Sequence, residues 1–274
     1  MARVYNIGSQ PVIIAHRGGA AEFTENSIEA FQHTVAQGFR FIESDVHATR
    51  DGIPVIHHDP VIRGEGGTEL LAINTLTWKE LQRFQDSDGT LPRLEDVLDA
   101  FPDVVFNLDA KSDEAVEPLA RAIRHTSCEK RVCLASFKQK RIDQMRALVP
   151  GAAFSLGTSE VARLVLRSKF PRRKTDLSPR FPHPDRGFQA LQIPVDMRIA
   201  VPGKLGEYIY TTVKVATPEL VRFAHAQGLA VHVWTINSER EAQGLIDIGV
   251  DGIITDIPIK MRTHFLDSGV EIDY

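Results

Sequence analysis

Cysteine is nearly absent from this sequence of 274 residues, which contains only Cys128 and Cys133. Two cysteines do not make the disulfide framework of a secreted domain, and they fit reduced thiols in the cytosol. No apolar run approaches the roughly 20 residues of a membrane-spanning helix. The apolar stretch before His16 is five residues long, from Pro11 to Ala15, which is too short for a secretory signal. We therefore expect a cytoplasmic protein without a membrane span.

The sequence also lacks an excess of positive charge. Its net charge is −4, with 32 basic and 36 acidic side chains and 43% hydrophobic residues. This balance does not favour nucleic acid or an anionic membrane as a partner. The basic stretch 167–186 is expected to be a solvated loop, on the face of the protein opposite the one where the functional residues discussed below are expected. The length is typical of a one-domain α/β barrel, so residues 1–274 are predicted to form a single domain.

Three common catalytic motifs are missing as well. The sequence contains no phosphate-binding P-loop, no glycine fingerprint for a dinucleotide and no Gly-x-Ser-x-Gly elbow. Their absence argues against a nucleotide-dependent enzyme and against a serine esterase of the usual type. Chemistry must therefore come from other side chains.

Short apolar segments alternate with helical ones along the chain. Helices are predicted at 114–126, 138–148, 158–169, 217–227 and 238–248, and an earlier helix begins at an N-cap on Asn26. Eight alternating units of this kind predict a TIM-type (β/α)8 barrel, with a doubly wound sheet as the alternative. The eight strands are predicted at 12–15, 41–45, 104–109, 132–136, 152–156, 189–193, 230–234 and 252–255.

The segment from Phe41 to Asp59 holds the most informative pattern. Glu43 and Asp45 stand two apart in a strand, so their carboxylates share one face. Asp51-Gly52 is a strong hairpin signal, and a two-residue turn there places Asp45 directly across from His58. The link is too short for a parallel crossover. We therefore predict a β-hairpin flap after strand two, followed by a loop at 60–76.

Polar residues collect at the carboxyl ends of the predicted strands, where barrel enzymes hold their active sites. Glu43, Asp45 and Asp109 are hard oxygen ligands suited to Mg²⁺ or Ca²⁺, although strand-end carboxylates can also serve as caps or ion-pair partners. His16 and His58 form a possible acid–base pair, whereas His47 and His57 fall on the other face of the hairpin. The further strand-end residues are Arg17, Lys111, Trp234, Asn237 and Asp256.

These residues resemble the glycerophosphodiester phosphodiesterase family, and the matches follow the family's order along nearly the whole chain. The matching segments are His16-Arg-Gly-Gly19, Glu25-Asn-Ser27, Glu43-Ser-Asp-Val46, Thr49-Arg-Asp-Gly52, His57-His-Asp59, Leu91-Pro-Arg-Leu-Glu95, Asp109-Ala-Lys111, Ser136-Phe137, Val233-Trp-Thr-Ile-Asn237 and Asp251-Gly-Ile-Ile-Thr-Asp256.

The resemblance implies a barrel enzyme that hydrolyses glycerophosphodiesters to glycerol 3-phosphate and an alcohol with a divalent cation. The residues that it assigns to the cation are Glu43, Asp45 and Asp109. It makes His16 and His58 the acid and base, Arg17 and Lys111 the phosphate ligands, and Trp234 part of the substrate pocket. Two positions depart from the pattern: Asp109 stands where the family usually has Glu, and the segment after Asp59 differs.

Two alternatives stay open on the sequence. A related enzyme could act on lysophospholipids with the same site. Residues 194–216 are expected to form a loop over the mouth, where Met197, Tyr208 and Tyr210 could contact the alcohol; an apolar groove there would favour this alternative, whereas the modest apolar content of the loop argues against it. A catalytically silent barrel could instead only bind phosphodiesters. The presence of both histidines with the carboxylates argues against silence, because binding alone needs no acid–base pair.

Overall fold

A computed structural model describes residues 4–5, 10–64, 69–84, 91–169, 183–202 and 208–274, with backbone only at 198–202 and 208–211. The strands are β1 (Val12–His16), β2 (Phe41–Ala48), β3 (Pro54–Ile56), β4 (Val61–Arg63), β5 (Leu70–Ala72), β6 (Val105–Ala110), β7 (Val132–Ala135), β8 (Ala153–Ser155), β9 (Phe188–Pro194), β10 (Asp196–Pro202), β11 (Tyr208–Lys214), β12 (Ala230–Trp234) and β13 (Gly252–Thr255). The helices are α1 (Ile28–Ala36), α2 (Trp78–Leu81), α3 (Leu94–Ala100), α4 (Val116–His125), α5 (Gln139–Leu148), α6 (Thr158–Lys169), α7 (Pro218–Ala226), α8 (Glu239–Asp247) and α9 (Pro258–Asp267).

Eight strands pair in parallel and close on themselves, in the order β1, β13, β12, β9, β8, β7, β6, β2 and back to β1. Helices separate successive barrel strands along the chain. The predicted TIM-type barrel is therefore confirmed, and the buried apolar strands have the composition that a sheet covered on both faces requires. No helix in the described ranges is long and apolar enough to cross a membrane.

The barrel has two apolar layers. The larger core lies between the sheet and the surrounding helices and includes Phe31, Phe106 and Phe154. The smaller core lies inside the barrel, where Tyr5 packs among small side chains such as Ala153 and Ala190. Tyr5 is 3% exposed, so this N-terminal residue fills one end of the interior and leaves the other end for the site.

The flap after the second barrel strand is confirmed, but its predicted register is wrong by one residue. β3 pairs antiparallel with β2, with Val46 opposite Ile56 and His47 opposite Val55. The peptide N–H of His57 donates to the carbonyl of Asp45 at 3.1 Å, so Asp45 faces His57 and not His58. The cause is the turn, which closes between Thr49 and Ile53 and therefore has three residues in its loop, ending on Gly52.

Three other local expectations need correction. Ser27 and not Asn26 caps α1, since its side chain accepts from the N–H of Ala30. The predicted loop 60–76 contains the antiparallel pair β4–β5, apart from 65–68, which lie outside the described residues. Residues 194–216 contain a second antiparallel pair, β10–β11. The predicted roles of the Tyr208 and Tyr210 side chains, and most of the basic stretch at 170–182, also lie outside the described residues.

Candidate active site

One cavity opens at the carboxyl ends of the barrel strands, where the sequence predicted the chemistry. Its volume is about 690 Å³. All eight candidate residues line it, including His58, which reaches the cavity from beyond the end of β3 in spite of the shifted register. These residues are His16, Arg17, Glu43, Asp45, His58, Asp109, Lys111 and Trp234.

Asp45 is the centre of the charged network. It is 1% exposed, and its Oδ1 accepts from the Lys111 ammonium at 2.7 Å. Its Oδ2 accepts from the Asn26 amide at 3.1 Å and lies 3.2 Å from Arg17 Nε. Burial works to raise the pKa of Asp45, but Lys111 and Arg17 outweigh it and hold that pKa below its usual value. Asp45 is therefore an ionised anchor for two cations.

Glu43 is in the opposite electrostatic situation. Burial and the neighbouring charge of Asp45 raise the pKa of Glu43 to about 8. Its Oε2 lies 3.7 Å from His16 Nε2 and has no hydrogen-bond partner among the described residues. A buried carboxyl that lacks a partner favours its neutral form unless a cation is supplied.

Asp109 and Lys111 complete this side of the cavity. The Lys111 ammonium donates to Asp109 Oδ2 at 3.1 Å, while Asp109 Oδ1 is buried without a partner among the described residues. Burial works to lower the pKa of Lys111, but Asp109 and Asp45 raise it above its usual value. Lys111 therefore bridges two carboxylates as a cation.

The carboxylates provide donors of the kind that a hard divalent cation requires. Glu43 Oε2 and Asp109 Oδ1 are both buried without a hydrogen-bond partner among the described residues, and carboxylate oxygens are the preferred ligands of Mg²⁺ and Ca²⁺. Within the described residues, no three acidic, histidine or cysteine side chains converge as a metal site, and Lys111 Nζ lies between Asp45 and Asp109 instead. The donor chemistry of these carboxylates fits such a cation.

His16 is fixed by residues that follow the last two barrel strands. Its Nδ1 lies 2.5 Å from Asp256 Oδ1, and because an ionised carboxylate only accepts, this nitrogen carries the hydrogen. The Asn237 amide donates to Asp256 Oδ2 at 2.6 Å. Burial works to lower the pKa of His16, but Asp256 and Glu43 raise it above its usual value.

Arg17 is held in place by Glu25 and by its own backbone. Its Nη1 donates to both carboxylate oxygens of Glu25 at 2.9 Å. The φ angle of Arg17 is 52° and that of Asn26 is 57°, a left-handed conformation that is unusual outside glycine and that recurs at functional sites. The carbonyl of Arg17 accepts from the N–H of Asn26 at 2.9 Å, so the backbones of the two residues are fixed relative to each other.

His58 exposes 37% of its side chain, more than any of the other histidine and charged candidates. Its Nδ1 lies 2.8 Å from the Asp59 carboxylate, and its carbonyl lies 3.1 Å from His47 Nε2. His47 therefore orients the peptide that carries His58, whereas the His57 ring contacts the carbonyl of Val61. Neither His47 nor His57 lines the cavity.

The structure adds site residues to which the sequence gave no role. Asn26 and Asp256 stood out as a helix-start residue and as a strand-end carboxylate, and both lie in segments that resemble the family, but none of these patterns names the side chain that each residue would contact. Ser155 and Gln192 also line the cavity, each as a polar residue in a mainly apolar strand. Phe137 stands edge-on to Trp234 with ring centroids 6.0 Å apart.

A parallel barrel with acidic, basic and histidine side chains around one cavity at its carboxyl end belongs to the class of barrel enzymes. The particular family follows from sequence: the profile of the glycerophosphoryl diester phosphodiesterase family matches residues 16–260. The chain belongs to this family.

Individual relatives agree with this assignment. A Mycobacterium tuberculosis protein named "Probable glycerophosphodiester phosphodiesterase 2" is 35% identical over 262 residues, which cover 94% of this chain and 92% of the relative. Lysophospholipase D GDPD1 of Rattus norvegicus is 27% identical, covering 91% of this chain and 84% of that protein. An Oleispira antarctica phosphodiesterase, solved with the product sn-glycerol 3-phosphate, has the same fold, with a TM-score of 0.70 and 20% identity over 93% of this chain and 97% of that one.

Proposed function

We propose that the protein hydrolyses glycerophosphodiesters to sn-glycerol 3-phosphate and an alcohol. The observation that carries this proposal is the charged wall of the cavity, where two histidines, three carboxylates, an arginine and a lysine meet. Family membership supports the reaction class, and the product bound to the Oleispira antarctica phosphodiesterase supports the substrate class. The two free, buried cysteines support a cytoplasmic location.

The cations of the wall suit the phosphate. Arg17 and Lys111 expose 17% and 18% of their side chains and are anchored on carboxylates behind them. Because the anchors fix their positions before substrate arrives, little reorganisation is needed when negative charge develops on the phosphoryl oxygens. Arg17 and Lys111 would therefore bind the phosphodiester and stabilise its transition state.

His16 and His58 would move the protons. A neutral histidine accepts the proton of the attacking oxygen as that oxygen bonds to phosphorus. The ester bond to the alcohol then breaks with its electron pair on the alcohol oxygen, which takes a proton from the other, protonated histidine. Overall one water is consumed. Asp256 keeps the Nε2 of His16 directed into the cavity by holding its Nδ1 hydrogen.

Glu43, Asp45 and Asp109 are the residues that would hold Mg²⁺ or Ca²⁺, and the two unpaired oxygens support this assignment. Such a cation supplies Lewis-acid polarisation of a phosphoryl oxygen and charge for the transition state. The shorter Asp109 is paired with Lys111, so cation and lysine would share the negative charge of that residue.

A second substrate class has its own support. The rest of the cavity lining includes the apolar side chains of Phe137, Leu156, Val161, Met197 and Trp234, which can accept an acyl chain. A lysophospholipase D is among the relatives. Lysophospholipids are therefore the second candidate substrates for the same chemistry.

The acid–base pair is tested with His16→Ala and His58→Ala. Each variant is expected to fold and to lose at least 100-fold in kcat for glycerophosphocholine, because general acid–base catalysis contributes about 10²–10⁴-fold. His125→Ala on the exposed end of α4 is the matched control and should keep the wild-type rate. Near-wild-type turnover in either cavity variant would remove that histidine from the mechanism.

A further inference from the structure

The wall of the cavity that faces away from the charged residues is not uniformly apolar. Ser155 on β8 and Gln192 on β9 contribute polar side chains between apolar neighbours. β8 and β9 are adjacent strands in which Ser155 lies opposite Ala190, and Gln192 follows Ala190 by two positions on the same face. The two side chains therefore belong to one patch of the inner wall.

Both side chains have a buried polar atom that nothing in the described protein satisfies. Ser155 is 1% exposed, and its Oγ has no hydrogen-bond partner among the described residues. Gln192 is half-buried, and its Nε2 is likewise buried and unpaired. Buried polar groups in folded proteins are nearly always paired, so these two atoms require a partner beyond the described residues, and their position on the cavity wall makes a bound ligand that partner.

Their surroundings indicate what kind of partner this is. The amide Nε2 of Gln192 only donates, while the hydroxyl of Ser155 both donates and accepts. Neither is charged, and the cations Arg17 and Lys111 are anchored on Asp45 of β2, which lies across the barrel from β8 and β9. An oxygen of a neutral hydroxyl group satisfies both atoms, whereas a quaternary ammonium offers no acceptor to Gln192.

We propose that Ser155 Oγ and Gln192 Nε2 form a hydroxyl-binding subsite for the polyol part of the phosphodiester. This inference rests on the proposed function, which places the phosphate on the charged wall. The hydroxyl comes either from the glycerol that stays on the phosphate or from the leaving alcohol. The apolar side chains beside the two residues then pack against the carbon skeleton of that group.

Calorimetric binding of sn-glycerol 3-phosphate and of propyl phosphate, which lacks the hydroxyls, tests the glycerol source. The wild type is expected to prefer sn-glycerol 3-phosphate by about tenfold or more, since one hydrogen bond to a buried group accounts for such a factor. Gln192→Met and Ser155→Ala should reduce this preference towards equality and leave the affinity for propyl phosphate within about threefold. Gln32→Met, on the exposed face of α1, is the matched control.

The leaving-alcohol source is tested by the ratio of kcat/KM for glycerophosphoglycerol to kcat/KM for glycerophosphocholine. If the subsite holds the leaving alcohol, this ratio falls in both cavity variants while the binding preference stays. Two results would overturn the subsite. In the first, the binding preference and the kcat/KM ratio of Gln192→Met and Ser155→Ala both equal those of Gln32→Met. In the second, these variants lose affinity equally for ligands with and without hydroxyls. A wild type that turns over no glycerophosphodiester would instead defeat the proposed function, and the binding preference alone would then decide the subsite.

Discussion

His16 owes its orientation to a carboxylate from the opposite end of the chain. Asp256 follows the last barrel strand, and the closed sheet brings it beside β1, where its Oδ1 meets His16 Nδ1 at 2.5 Å. Burial works to raise the pKa of Asp256, but hydrogen bonds from His16 and Asn237 outweigh it and lower that pKa. An ionised Asp256 fixes the ring tautomer that leaves Nε2 free for proton transfer.

Asp256→Asn tests this role with almost no change in shape. The amide can present its NH₂ to Nδ1 and so select the other tautomer, and we expect kcat for glycerophosphocholine to fall by about 10²–10⁴-fold with little change in KM. The thermal midpoint of unfolding and the pH profile of kcat are measured together with the rate. A purely structural role for Asp256 would instead appear as a lower midpoint with an unchanged rate and profile.

At the scale of the element, the flap shows how a single turn sets the position of a catalytic candidate. Gly52 has a φ of 77° and closes a three-residue loop, the arrangement of a type I turn followed by a left-handed residue. The sequence correctly predicted the hairpin, because Asp-Gly between apolar strands is a strong signal. It did not determine the loop length, since two- and three-residue loops share this signal. A two-residue loop would place His58 opposite Asp45, whereas the observed three-residue loop places His57 there.

Two glycine substitutions, which are expected to change the free energy of unfolding in opposite directions, test this conformation. Gly52→Ala should destabilise the protein by about 1 kcal/mol, because an alanine at positive φ is strained. Gly244→Ala in α8 should stabilise it by about 0.5–1 kcal/mol, since the added methyl group meets no atom within 4 Å and alanine favours helix. Chemical denaturation in urea measures both. A Gly52→Ala protein with the same free energy of unfolding as the wild type would contradict the left-handed conformation of residue 52.

At the scale of the whole molecule, the barrel encloses an unpaired histidine. His232 on β12 is 0% exposed, and neither ring nitrogen has a hydrogen-bond partner in the described protein. Tyr5 packs edge-on against it with ring centroids 4.3 Å apart. Burial lowers the pKa of His232 to about 4, so the folded protein holds this ring neutral.

This burial predicts a loss of stability in acid. The unfolded chain binds a proton on His232 at a pKa near 6.5, above the folded value of about 4. His232 therefore does not lower the free energy of unfolding above about pH 6.5. As the pH falls towards 4, protonation of this ring in the unfolded chain lowers that free energy progressively, by roughly 3 kcal/mol in total. Urea unfolding of the wild type and His232→Gln at several pH values measures this. The difference in free energy of unfolding between the wild type and His232→Gln should change with pH between about 4 and 6.5. A difference that is constant over this range would contradict a buried neutral ring.

The barrel as a whole was predictable because apolar strands and helices alternate with a regular period, and a closed parallel sheet then gathers the strand ends. His16, Glu43 and Asp109 could be placed at one mouth on that rule alone. Ser155 and Gln192 could not, since isolated polar residues in a mainly apolar strand do not say which face of the strand lines a cavity. The interior contact of Tyr5 depends on three-dimensional closure and has no local pattern.

The most direct measurement is the release of sn-glycerol 3-phosphate from glycerophosphocholine by the purified protein, first with EDTA and then with Mg²⁺ or Ca²⁺ restored. We expect turnover that EDTA abolishes and a divalent cation restores, with Glu43→Gln inactive under both conditions. Turnover that continues undiminished in EDTA would contradict the assignment of Glu43, Asp45 and Asp109 to a cation. Absence of product from glycerophosphocholine, glycerophosphoethanolamine and glycerophosphoinositol, with cation present, would contradict the central claim itself.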